Sequence, residues 1–183
     1  MQTEPLILTI LLEEKAHEYF TGLREQHFPK YCNFLEAHLT LFHRLPSNKK
    51  KISEVLKEIT KKPEMLLDVS AVKSIGNGVA FEIKSAALMQ LHQYLQQQFS
   101  PRLTTQDRKK LWPHITIQNK VTAYKASQTL AQVQADFKPF SIRSIGIGSW
   151  LYKDGPWEKK ADYFFCENST SGAPMSEPPE SED

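Results

Sequence analysis

Two short segments whose histidines stand 76 residues apart, Ala37-His38-Leu39-Thr40-Leu41 and Pro113-His114-Ile115-Thr116-Ile117, carry one pattern: histidine, apolar residue, threonine, apolar residue. In an extended strand alternate side chains share a face, so His38 and Thr40 point one way while Leu39 and Leu41 point the other. The second segment repeats this arrangement. A fold that brings the two strands together places two imidazoles and two hydroxyls in one polar groove backed by an apolar layer. A single His-x-Thr is ordinary in a half-buried strand. Two copies at matching places in a duplicated chain point to function.

The pattern around the segments supports duplication. Apolar alternation and helical spacing predict a buried strand over 6–12, a helix over 15–26, the first motif strand over 34–42 and a helix over 47–61 capped by Ser47 or Asn48. Strands over 65–75 and 79–84 follow, joined by a tight turn at Gly76-Asn77-Gly78, then a helix over 85–99. The second motif strand is expected over 112–119, a helix over 124–135, and strands over 140–152 and 158–166. Motif strand, helix, strand, turn, strand thus occurs twice, in pseudo-repeats of about 34–84 and 112–166 within one domain of 1–166. Such a repeat implies an approximate two-fold axis with the motif strands beside it.

The other features bound the setting. The run Leu6 to Leu12 is too short to span a bilayer and is flanked by Glu4, Glu13 and Glu14, so no membrane association is expected. Cys32 and Cys166 have neither metal-ligand nor redox spacing; two buried free thiols are expected, in a reducing cytoplasm. Residues 167–183 hold five acidic and no basic residues with little to bury, and read as a disordered acidic tail. The formal charge of +2 therefore becomes +7 for the rest, a body that favours anionic ligands.

Along the two strands, Phe42 and Arg44, and Gln118 and Lys120, keep even spacing from their histidines and are expected on the groove face. Arg44 and Lys120 would meet flanking phosphates, and Phe42, Trp112, Trp150 and Tyr152 are candidates to stack a base. His43, at odd spacing, is expected on the opposite face. His17, His27 and His92 fall in or near helices, and no His-Glu-x-x-His or Cys-x-x-Cys indicates a metal.

With His38-Leu39-Thr40-Leu41 and His114-Ile115-Thr116-Ile117 so placed, residues 5 to 166 resemble the two-histidine (2H) phosphoesterase superfamily, which includes 2′-5′ RNA ligase-like proteins and cyclic phosphodiesterases. The resemblance implies an α+β, duplicated bilobal fold: two pseudo-symmetric halves, mostly antiparallel sheets lining a central cleft, helices outside. It implies metal-independent and cofactor-free hydrolysis of a 2′,3′-cyclic phosphate or 2′-5′ linkage on an RNA terminus or small nucleotide. His38 and His114 would act as acid and base, and Thr40 and Thr116 as phosphate ligands. A monomer is expected. Many members have an arginine shortly after the second motif where this chain has Gln118, Asn119 and Lys120, which keeps open a second reading as a non-catalytic RNA or nucleotide binding module.

Overall fold

The structure, a computed structural model, describes residues 4–167; the tail expected over 167–183 lies, beyond Glu167, outside the described residues. The described chain runs β1 (Pro5–Leu12), α1 (Glu14–His27), β2 (Leu39–Pro46), α2 (Lys50–Ile59), β3 (Met65–Ser74), β4 (Val79–Lys84), α3 (Ala86–Phe99), β5 (His114–Gln118), α4 (Ala123–Asp136), β6 (Phe140–Tyr152) and β7 (Trp157–Phe164). Among the described residues no helix is long and apolar enough to cross a membrane.

The helices form where amphipathic spacing and caps coincide. Ser85 and Thr122 accept from the amides of Leu88 and Lys125, closing the first turns of α3 and α4. Neither Ser47 nor Asn48 caps α2. Its N-cap is Lys49, without a side-chain bond, and the helix is held by Ile52, Val55, Leu56 and Ile59, all buried.

All seven strands join one antiparallel sheet, in the order β2-β1-β6-β3-β4-β5, with β7 added to β6. The 13-residue β6 couples the two lobes. One of its edges pairs with β1; the other pairs with β3 over Phe140–Ser144 and with β7 over Gly146–Tyr152. The repeats therefore exchange strands. Motif strand β2 lies on β1, beside β6 and β7 of the other repeat, while motif strand β5 lies on β4 of the first. The motif strands thus form opposite ends of the hydrogen-bonded path, yet the curled sheet returns them to each other's vicinity.

The first motif strand begins later than its sequence suggests. Its ladder starts at Leu39 opposite Ile10, two residues before β1 ends at Leu12, and β1 does not reach far enough to pair 34–36. Backbone groups there turn to α1 instead: the Ala37 amide donates to Thr21 Oγ1 and the Leu35 carbonyl accepts from Arg24. Cys32 and Cys166 are free as expected, but neither is buried: Cys32 is half-buried and Cys166 is exposed.

The β3–β4 hairpin forms as read, with the Ile75 amide donating to the Gly78 carbonyl. Gly78 is fixed by close approach, since a Cβ there would overlap the Gln118 carbonyl of β5. We predict that Gly78→Ala costs on the order of 1–3 kcal/mol through overpacking against β5. Urea unfolding measures this, and an unchanged midpoint would contradict the packing described.

Candidate active site

The two motif strands share a defect that the regular alternation conceals. In β2, Thr40 stands opposite Thr9 but Phe42 stands opposite Leu8, so Leu41 is an extra residue. In β5, Thr116 stands opposite Ala80 but Gln118 stands opposite Val79, so Ile117 is an extra residue. Each is a β-bulge at the same place in its repeat, and each inverts the alternation just past the threonine; in β2 a second shift follows between Phe42 and Leu45. Two consecutive buried residues mark both sites: Leu41-Phe42 and Ile117-Gln118.

The bulges correct the expected lining. Phe42, 0% exposed, stacks on His92 at 4.8 Å in the core and cannot stack a substrate base. Gln118 is likewise 0% exposed, donating to Thr129 Oγ1 at 2.8 Å, with its Oε1 unpartnered among the described residues. His43 is not on the far face. The inverted alternation returns it to the side of His38, where its charge is felt by both His38 and His114. Lys120 lies past the end of β5 at φ 59°, exposed, and Arg44 is exposed on β2. The bulge carbonyl of Leu41 is satisfied by His92 Nε2–H at 3.2 Å.

The two motif histidines are held alike. His38 Nδ1–H donates to the Glu36 carbonyl at 2.8 Å, and His114 Nδ1–H donates to the Trp112 carbonyl at 2.7 Å, each two residues upstream. A carbonyl only accepts, so both Nδ1 atoms carry hydrogen and both Nε2 atoms are left for the groove. Each ring also has an indole partner: Trp112 stacks on His114 at 4.3 Å, and Trp157 leans on His38 at 4.7 Å. Trp157 escaped the sequence reading, because it falls between the expected turn at 153–156 and the expected strand from 158; it is the first residue of β7, and the β6–β7 pairing brings it here.

Trp150 extends this aromatic wall. It lies 6.4 Å from Trp157 and donates through Nε1 to Thr9 Oγ1 at 2.8 Å, across from Thr40. Its indole lies over Gly148, where a Cβ would fall 3.1 Å from Nε1 and displace it. Tyr152, half exposed at the end of β6, stands opposite the Trp157 backbone.

Arg24, on α1 and only 5% exposed, joins the two motif segments. Its Nε donates to Asn33 Oδ1 and to the Leu35 carbonyl, both at 2.8 Å, and its Nη1 donates to the Thr116 carbonyl at 3.0 Å. The guanidinium also lies 3.9 Å from the Phe28 ring centroid. Burial lowers its pKa to about 10, which leaves it charged at neutrality.

This setting is hostile to protons on His38. Burial above all, opposed by the Glu36 carbonyl and reinforced by the charges of Arg24, His114 and His43, lowers its pKa to about 4. Burial also lowers His114, with a contribution from His43. Among the described residues no three His, Cys, Asp or Glu side chains gather as a metal site.

An antiparallel α+β fold with His-x-Thr strands at equivalent places beside one groove is the architecture of the two-histidine phosphoesterases. The model of the 2′-5′ RNA ligase superfamily matches residues 12–155, and the chain belongs to that superfamily. No curated protein matches the chain. Among solved structures, LigT of E. coli complexed with 3′-AMP is similar at TM-score 0.58 and 16% identity, covering 90% of this chain and 99% of LigT. LigT complexed with ATP gives 0.56 and 17% with the same coverage, and TT0787 of Thermus thermophilus gives 0.57 and 13%, covering 88% and 97%. At these identities the likeness establishes the fold.

The depressed His38 pKa makes stability depend on pH. Between pH 6.5 and about 4 the unfolded chain binds the proton that folded His38 refuses, so stability falls as pH is lowered through that window. Discounted for residual water contact, the loss is on the order of 2 kcal/mol. Urea midpoints measured across the window should show a shallower decline in His38→Gln, and an identical slope would contradict the assignment.

Proposed function

We propose that this chain is a phosphoesterase that acts on 2′,3′-cyclic phosphates or 2′-5′ phosphodiester linkages of RNA ends or small nucleotides through two-histidine acid–base catalysis. The observation that carries the reading is the matched anchoring of His38 and His114, each tied at Nδ1 and, among the described residues, without a hydrogen bond at Nε2. The nucleotides printed for LigT, 3′-AMP and ATP, support a ligand of the same chemical class.

Hydrolysis of a cyclic phosphodiester requires removal of a proton from water and delivery of one to the departing ribose oxygen, on opposite sides of phosphorus. His38, beside Arg24, His114 and His43, is the ring less able to hold a proton, and is the base. Its Nε2 takes the water proton as the new P–O bond forms. His114, lowered by burial and then by the charge of His43 but without Arg24 among its causes, is the acid. Its Nε2–H goes to the ribose oxygen as that P–O bond breaks, giving a phosphomonoester. The Thr40 and Thr116 hydroxyls donate to the non-bridging oxygens and stabilise the added negative charge.

Purified protein should open a nucleoside 2′,3′-cyclic phosphate or cleave a 2′-5′ dinucleotide in the presence of EDTA, and His38→Ala or His114→Ala should each lower kcat/KM by about 10²–10⁴. Turnover that survives the double replacement rejects the assignment; nucleotide binding without turnover by the wild type selects the binding module instead. The profile of kcat/KM against pH should also be bell-shaped with an acidic optimum. It rises through about 4 as His38 loses its proton and falls, at a pH lowered from that of a free imidazole by burial, as His114 loses the one it must donate. An optimum well above pH 7 would reverse or remove these roles.

A further inference from the structure

Among the groups that the proposed reaction leaves unused, His43 and Asp107 are the most completely built. Asp107, in the loop between α3 and β5, is 3% exposed, and its carboxylate accepts four hydrogen bonds. Its Oδ1 takes the His43 amide at 2.8 Å and His43 Nδ1–H at 3.2 Å; its Oδ2 takes the Arg44 amide at 3.0 Å and the Thr104 hydroxyl at 3.2 Å. Gln96 Nε2 ties the loop down through the carbonyls of Asp107 at 2.9 Å and Lys109 at 3.0 Å. Burial alone raises the Asp107 pKa, but the bonds from His43 and from the amides of His43 and Arg44 outweigh it and keep the carboxyl ionised.

Fastening β2 to this loop accounts for the carboxylate, since the two amides suffice for that. It does not account for the imidazole. The His43 side chain is 48% exposed, its Nδ1–H is directed by Asp107, and its Nε2 has no hydrogen bond among the described residues. The bulge places it beside the two motif histidines, and the same end of the sheet carries exposed Arg44, Arg108, Lys109 and Lys110, none in an ion pair among the described residues. The carboxylate that holds His43 already has its acceptor positions occupied, and Glu82, opposite His114, is engaged by Trp112 Nε1 and Ser70 Oγ. Such a place suits an anion, which the exposed Nε2 edge of the ring would meet while Asp107 holds the Nδ1 edge.

Resting on the phosphoesterase reading, we propose that His43, positioned by Asp107, binds a second phosphoryl group of the substrate, one that flanks the phosphorus held between His38 and His114. The groove would then prefer a nucleotide phosphorylated at two places over one that carries the reacting phosphate alone. The loss of one charge-assisted bond predicts a preference of about tenfold.

The test compares 3′-AMP with adenosine 3′,5′-bisphosphate by calorimetric titration, in wild type, His43→Gln and His43→Arg. Wild type should bind the bisphosphate about tenfold more tightly, His43→Gln should bind the two equally, and His43→Arg should keep the preference through its fixed charge. A wild type without preference, a His43→Gln that retains it, or a His43→Gln that loses affinity for both ligands equally would each overturn the proposal. In parallel, the KM values for adenosine 2′,3′-cyclic phosphate with and without a 5′-phosphate should reproduce the difference. If the wild type hydrolyses neither, the phosphoesterase reading fails while the titration still decides the subsite.

Discussion

One buried cation holds the two motif strands in register with each other. β2 and β5 end the hydrogen-bonded path on opposite sides, so no ladder of backbone bonds fixes their separation. Arg24 supplies what the sheet omits, taking the Leu35 carbonyl just before His38 and the Thr116 carbonyl within the second motif. A planar guanidinium is suited to this because its donors radiate in fixed directions. Its acceptors here are neutral, so the full charge survives in a place poor in water and bears on His38. The interaction that joins the segments is thus also one that keeps the first imidazole unprotonated.

The paired bulges follow from the same architecture. A regular β2 would send Phe42 into the groove and His43 into the core, leaving an apolar ring wet and an imidazole buried. One extra residue at Leu41 exchanges them, and His92 takes the carbonyl that the bulge frees. At Ile117 the same device buries Gln118 instead, which finds Thr129. The two halves therefore share a backbone defect while differing in what they bury behind it.

How much of this the sequence disclosed depends on the range of the interaction. Period-two and helical spacing located the elements within a few residues, and the recurrence of His-x-Thr marked the strands that matter, because both are local properties of the chain. The bulges were half legible. Leu41-Phe42 breaks strict alternation with two apolar neighbours, a signal that could have been weighed, whereas Ile117-Gln118 offers none because glutamine does not announce burial. Arg24 looked like any cation on an amphipathic helix; its burial depends on Asn33, Leu35 and Thr116, which only the fold assembles. Trp157 and Asp107 reach the motif strands from distant segments for the same reason. The even-spacing rule for Phe42 failed because it presumes an uninterrupted strand, which the curvature and the crossing of the repeats do not allow.

The charges around the groove impose an order on its proton chemistry. Three imidazoles, each anchored at Nδ1, and one guanidinium lie close enough to influence one another, and among the described residues the carboxylate bonded to an imidazole here is that of Asp107. Without an anion, positive charge on any ring raises the cost of placing it on the next. In the proposed reaction a phosphate between His38 and His114 would reverse that relation, because it would offset each positive charge and make a proton on one ring compatible with Arg24 nearby. Ligand and proton therefore enter as linked events. The same linkage gives the asymmetry of the halves a meaning: the repeat supplies two equivalent rings, and the unpaired additions, Arg24 beside one and His43 near both, make them unequal. In the proposed reaction two identical imidazoles would compete for both parts of the acid–base chemistry, whereas rings set apart by their neighbours would divide them.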